Sequence, residues 1–399
     1  MTTFSRRASL KAIGALFGSA LGTRIGARTW EREAMAAPSP NACVVSIFFE
    51  GGFNALFSSA DSFVGKGSFG VTSSNAKNVG NGLFVDASTI GALGPWALSH
   101  MAAIGNRHGA TDHVSAQRNN FIAEGRSLPL QLAAAMGGDA AFKAVALGGL
   151  PVPGPSTTEA GVSLQLLRTM SDVETALGVG AVDLALPARG VAAKAIGGSR
   201  AMSQQSLKNN PSSMSFARDA YDTTIGSLTR PPIAIDVAGV AQAYRTTSGA
   251  SLDSVAAKLA AAELMIRSGT NVITLSDTGW DTHGDRTGNT VRQKMSASVI
   301  PALKTFLSRI RSEPDLAAMN ISVILHGDFA RSLPGSDHAP ALSALVIGPN
   351  VKVGTTGKVS ASVSLAPSTG GSKEMWSYLA AVAKAPQNPF GANPHALVL

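Results

Sequence analysis

The run CVVSIFF, Cys43–Phe49, is of strand length, rich in β-branched and aromatic residues, and it stops abruptly at EGGFN, Glu50–Asn54. Alternating apolar and polar residues would mark a strand with one face in water. This run has no polar face, so it reads as a strand buried on both sides, the habit of parallel sheets covered by helices. FKAVALGG (Phe142–Gly149), NVITLS (Asn271–Ser276), ISVIL (Ile321–Leu325) and ALVIG (Ala344–Gly348) repeat the pattern. Between them lie helical periods. In SLDSVAAKLAAAELMIRSG, Val255, Leu259, Ala262 and Met265 share one face, Ser251 can cap the start and Gly269 can end it. Val291, Met295, Val299, Leu303, Phe306 and Ile310 form a second stripe, in which Pro301 must kink the helix or begin a new one. The alternation predicts an α/β fold: a mostly parallel sheet with helices on both faces. Residues 37–399 read as a single domain, with a less regular insertion around 151–232.

Composition narrows the class. Hydrophobic residues make up 45% and charged residues 15% of the 399, enough apolar material for a large core. The net charge of +8 is concentrated at the N-terminus. The first 36 residues carry Arg6, Arg7, Lys11, Arg24, Arg28 and Arg32 against Glu31 and Glu33, which leaves +4 for the remainder. No basic stripe interleaves with aromatics, so nucleic acid is not an expected partner. SRRASLK (Ser5–Lys11), the apolar AIGALFGSALG and AMAAP read together as a twin-arginine export signal over residues 1–36, with Ala34 and Ala36 framing the cleavage pattern. The apolar stretch is short and interrupted by glycine, so a bilayer span is not expected there. The expected location is therefore periplasmic or secreted, with no transmembrane segment in the mature chain. The single Cys43 offers no disulfide framework.

In open α/β sheets, ligands bind outside the carboxyl ends of the strands. Four polar clusters fall there: EGGFN, TDHVSAQ from Thr111, DTGWDTHG from Asp277, and HGDFARSLPGSDHA from His326. Asp281 and His283 are two apart, so an extended backbone points both to one side, where they can share a divalent cation. Asp337 and His338 are adjacent and meet at one site only where the backbone turns. Each candidate has a structural alternative: an Asx turn at Asp281, a helix N-cap at Asp112, an ordinary turn at Asn54, a carboxylate paired with Arg331 at Asp328, and a hydrogen-bonded strand-end histidine at His326.

The order of these clusters resembles a bacterial exported family, the domain of unknown function 1501, whose fold is thought similar to alkaline phosphatases and sulfatases. The matching positions are Gly51-Gly52-Phe53-Asn54, Asp112-His113-Val114-Ser115-Ala116-Gln117, Gly279-Trp280-Asp281-Thr282-His283-Gly284, Asp328-Phe329-Ala330-Arg331 and Ser336-Asp337-His338-Ala339, spread over nearly the whole chain. The resemblance implies a three-layer, alkaline-phosphatase-like architecture. It also implies a divalent metal, zinc first, held by Asp281, His283, Asp328, Asp337, His338 and Asn54. Catalytic roles would fall to Asp112, Thr111, His113 and Arg331, on a small-molecule or polymeric phosphate or sulfate ester. Two positions depart from the pattern. Asn54 stands where the family has a carboxylate, and Asp112 where it has a serine that can act as nucleophile. The alternative is a catalytically lapsed member that binds protein partners in the cell envelope.

Overall fold

The computed structural model describes residues 42–65, 71–138, 140, 142–149, 158–159, 161–177, 190–199, 201, 235–332, 336–338, 342–357 and 369–399. The export signal and most of the insertion expected around 151–232 lie outside the described residues. The chain divides into two compact units, residues 1–37 with 180–234, and residues 38–179 with 235–399. In the first unit, the stretch 190–199 is helical.

The second unit is built on a nine-stranded sheet. Its strands are β1 (Ala42–Phe49), β2 (Met101–Asn106), β3 (Ala144–Leu147), β4 (Thr158–Glu159), β5 (Val162–Leu167), β6 (Val272–Asp277), β7 (Asn320–Gly327), β8 (Leu342–Ile347) and β9 (Gly354–Thr356). Their order across the sheet is β9-β2-β8-β7-β1-β6-β3-β5-β4. The opening run is the centre: β1 pairs in parallel with β6 through Val44–Val272 to Phe49–Asp277, and with β7 through Ala42–Asn320 to Phe49–Gly327. The opening run and the segments NVITLS and ISVIL, read as buried strands of a mostly parallel sheet, are buried and parallel. ALVIG is a strand as expected, but β8 runs antiparallel to both β7 and β2, and the edge strand β4 runs antiparallel to β5. The rest of the sheet shares one direction.

Side chains of β1 divide by parity. Cys43, Val45, Ile47 and Phe49 pack in one core with the helices Val255–Arg267 and Ile300–Ser312, while Val44 and Phe48 pack in a second core with Leu128–Met136 and Ser372–Val382. That is the three-layer arrangement a strand without a polar face requires. The helix Val255–Arg267 is capped by Ser254, whose side chain accepts from Ala257 N, and not by Ser251. Ser251 instead sits in a bridge with Thr169, so the helix begins one turn later than its composition suggested. Pro301 stands in the first turn of Ile300–Ser312, directly after a π-helical turn at Met295–Val299. A residue without an N–H breaks the regular ladder, and the wider turn accommodates the break.

At the carboxyl end of β7, His326 is fully buried between Ser46 Oγ, 2.8 Å from Nε2, and Asn120 Oδ1, 3.0 Å from Nδ1. It is the hydrogen-bonded strand-end histidine. Burial pushes its pKa down to about 3, and that of His395 to about 4. A depressed folded value means stability is fully present above the unfolded value near 6.5 and is lost as pH falls toward the folded one. The loss approaches ~1.4 kcal/mol per pH unit for each such group. Urea midpoints measured from pH 7 to 4.5 should therefore fall more steeply in wild type than in His326→Gln. Parallel curves would show that His326 is not held neutral.

A candidate metal centre at the carboxyl edge

The segments that follow β1, β6 and β7 emerge on the same edge of the sheet because the three strands are parallel. The segment after β2 leads into helix α1 (His113–Phe121), and Asp337 and His338 lie between β7 and the reversed strand β8. Each polar cluster read from the sequence is thus delivered to one place by the topology.

Gly51 and Gly52 make the convergence possible. Gly51 has φ +113°, and a Cβ there would lie 2.2 Å from Asp281 N and 2.5 Å from the carbonyl carbon of Trp280. Only a residue without a side chain lets the backbone after β1 run against the backbone after β6. Gly51 also ties the site together with its own peptide. Its N–H donates to Asp328 Oδ2 at 3.1 Å, and its carbonyl accepts from Arg331 Nε. Arg331 is fixed further by a short parallel ladder pairing Phe53–Asn54 with Ala330–Arg331.

Four side chains meet. One ligand atom from each of His113, Asp281, His283 and His338 lies within 4.8 Å of all the others. His113 Nε2 is 3.4 Å from Asp281 Oδ2, and His283 Nε2 is 3.3 Å from Asp281 Oδ1. Donors around a tetrahedral cation with bonds of ~2.0–2.2 Å stand roughly 3.4 Å apart, so these spacings suit a small divalent metal.

The outer contacts set the imidazole tautomers. His113 Nδ1 is 2.6 Å from Asp328 Oδ2, so it carries the proton and leaves the Nε2 lone pair facing Asp281. His338 Nδ1 is 2.7 Å from the carbonyl of Thr111, which fixes Nδ1–H and again leaves Nε2 as the acceptor. A carboxylate or carbonyl behind an imidazole is the arrangement that orients histidines toward metals. The His338 ring also packs at a tilt against Phe329, with centroids 4.0 Å apart.

Asp328 belongs to this outer layer. It is fully buried and bonds His113, not Arg331, the partner that its structural alternative gave it. Its Oδ2 also accepts from Gln117 Nε2 at 3.3 Å, while its Oδ1 is buried without a partner. Burial holds the Asp328 carboxyl above its usual range, opposed by His113 and by the Gly51 N–H. Two further donors brace its main chain: His108 Nε2 and Asn120 Nδ2 reach the Asp328 carbonyl at 2.7 and 3.1 Å. His108 has no motif neighbour and nothing in the sequence marks it.

The remaining expected residues are placed as follows. Asp337 lies at the rim, its Oδ1 3.7 Å from His283 Nδ1 and mostly exposed. Arg331 is fully buried; its guanidinium donates to the carbonyls of Gly51 and Ser336, to Asp281 Oδ1, and to His338 Nε2 at 3.1 Å. Asp112 is the N-cap of α1, accepting from Ser115 N at 2.8 Å, and that bond holds its carboxyl below the usual range. Thr111 contributes its backbone carbonyl to His338. Asn54 is buried and caps the short helix Ala55–Phe57 through Leu56 N, with its Nδ2 buried and unpartnered. Residues 333–335 and 339 of the HGDFARSLPGSDHA loop lie outside the described residues.

A family model described as a protein of unknown function (DUF1501) matches residues 180–369. The match supports the resemblance drawn from the motifs. Its span holds Asp281, His283, Asp328, Arg331, Asp337 and His338, while Gly51 and His113 precede it. Among curated proteins, none matches this chain. No described helix is long and apolar enough to cross a membrane.

Proposed function

We propose that this chain is an exported, alkaline-phosphatase-like or sulfatase-like member of the 1501 family that binds a divalent metal, zinc first, and hydrolyses phosphate or sulfate esters with it. The observation that carries the reading is the convergence of His113, Asp281, His283 and His338, with two imidazoles oriented from behind. Three nitrogen donors and one carboxylate are the donor set of a borderline metal such as zinc rather than of calcium or magnesium. The Asp328 Oδ1, buried without a partner, is a further oxygen behind that set. A bound metal would supply Lewis acidity and an acidified water. The chain itself orients the donors, turns Nε2 of His113 and of His338 toward the site through the bonds behind them, and presents the Arg331 guanidinium beside Asp281 and His338.

A second reading has its own support. Asp112 and Asn54 both act as helix caps, and Thr111 uses its carbonyl, so these three expected residues have structural occupations. That favours a metal-binding envelope protein without turnover, serving in binding or assembly.

Elemental analysis of purified protein, joined to a panel of aryl phosphates and aryl sulfates, separates the two. About one metal per chain with chelator-sensitive turnover supports the hydrolase. Metal without turnover supports the binding protein, and a metal-free chain that gains none on incubation with zinc contradicts both.

A further inference from the structure

The Arg331 guanidinium and the fourth metal ligand compete for a single lone pair. His338 donates its Nδ1 proton to Thr111, so its Nε2 has one lone pair, and in this structure that pair accepts from Arg331 Nη2 at 3.1 Å. An imidazole nitrogen that accepts a hydrogen bond cannot ligate a metal at the same time. Asp281 is not contested in this way. Its Oδ1 serves Arg331 and faces His283, and its Oδ2 faces His113, because a carboxylate has about four lone-pair sites.

We propose that Arg331 is a built-in latch on this centre, an internal cation that withholds His338 from the metal. The inference rests on the metal reading above. With the latch closed, His113, Asp281 and His283 form a three-donor site. With it open, His338 completes four. Opening need break only the Nη2–His338 contact, by a turn of the His338 ring, because Nε and Nη1 remain anchored on the carbonyls of Gly51 and Ser336 and Nη2 on Asp281 Oδ1. Those anchors and full burial keep the guanidinium in place, so the latch opens at a free-energy cost subtracted from metal affinity. Arg331 thus determines the strength and coordination number of the centre without being a ligand.

A double-mutant cycle with zinc as the probe tests this. Zinc affinity would be measured by competition with a chromophoric chelator for wild type, Arg331→Met, Arg331→Lys, His338→Ala and the Arg331→Met/His338→Ala double variant. Arg331→Met frees His338 and should bind zinc roughly tenfold or more tighter, the scale of ordinary coupling between sites. His338→Ala should cost little in wild type and at least about tenfold when added to Arg331→Met. Arg331→Lys keeps a positive charge in the buried position and guards against loss of fold, which near-UV circular dichroism would report. Its single ammonium cannot hold all of these anchors at once, so it too should bind more tightly. Equal or weaker binding in a folded Arg331 variant, or equal His338→Ala costs in both backgrounds, overturns the latch and leaves the metal reading standing. Zinc binding in none of the folded variants overturns both. In wild-type crystals soaked in zinc, a four-ligand centre with the Arg331–His338 contact intact would also overturn the latch.

Discussion

Gly51→Ala is expected to cost on the order of 3 kcal/mol of stability and to abolish zinc binding at micromolar metal. Two effects add. A non-glycine residue at φ +113° is strained by ~1–3 kcal/mol. A Cβ placed 2.2 Å from Asp281 N must also push apart the two backbones that form the site, and such overpacking costs a further ~1–3 kcal/mol. The metal effect is larger than the stability effect. The displaced peptide is the one that donates to Asp328 and accepts from Arg331, and its neighbour carries Asp281. Gly109→Ala is the control: it has φ +80° with nothing within 4 Å, so it reports the backbone cost alone. Urea unfolding and zinc titration of both variants would check this. Matching behaviour would show that the close approach at Gly51 does not hold the centre.

His113→Ala should lower zinc affinity by at least 100-fold, the upper range seen when even an outer partner of a metal ligand is removed. The same change strips Asp328 of its imidazole partner. Asp328 is fully buried and one of its oxygens already has no partner, so a stability loss of about 1–3 kcal/mol should accompany it. His113→Asn separates the two roles. Its amide can donate to Asp328 from roughly the position of Nδ1 but offers no nitrogen ligand, so stability should return in part while zinc affinity does not. Wild-type affinity in either variant would remove His113 from the centre.

Much of this architecture was legible because burial leaves a local mark. CVVSIFF, NVITLS and ISVIL have no polar face, and they are the three central parallel strands. The reversal of β8 was not legible, since ALVIG buries both faces in either direction and only its pairing with β7 and β2 sets the sense. The helix cap moved from Ser251 to Ser254 because both are serines near the start, and the choice depends on a bridge to the distant Thr169. In the site, Asp281, His283 and His338 converge as their spacing and motif order suggested. His113 was read as a catalytic residue and stands among the potential ligands, whereas Asp328, read as a ligand, stands behind His113. That exchange turns on a few ångströms of reach between α1 and the end of β7, which no spacing along the chain encodes. His108 was invisible for the same reason, since its ring joins the nearby Ala110 N–H to the Asp328 carbonyl across the fold.

The claim that these side chains form a metal centre meets its most direct test in anomalous diffraction. Crystals of the wild-type protein would be soaked in millimolar zinc and measured on both sides of the zinc edge. A single strong anomalous peak within ~2.0–2.2 Å of His113 Nε2, a carboxylate oxygen of Asp281 and a ring nitrogen of His283 is the predicted result. Zinc found only at other histidines, with those three side chains ordered and nothing between them, would contradict it.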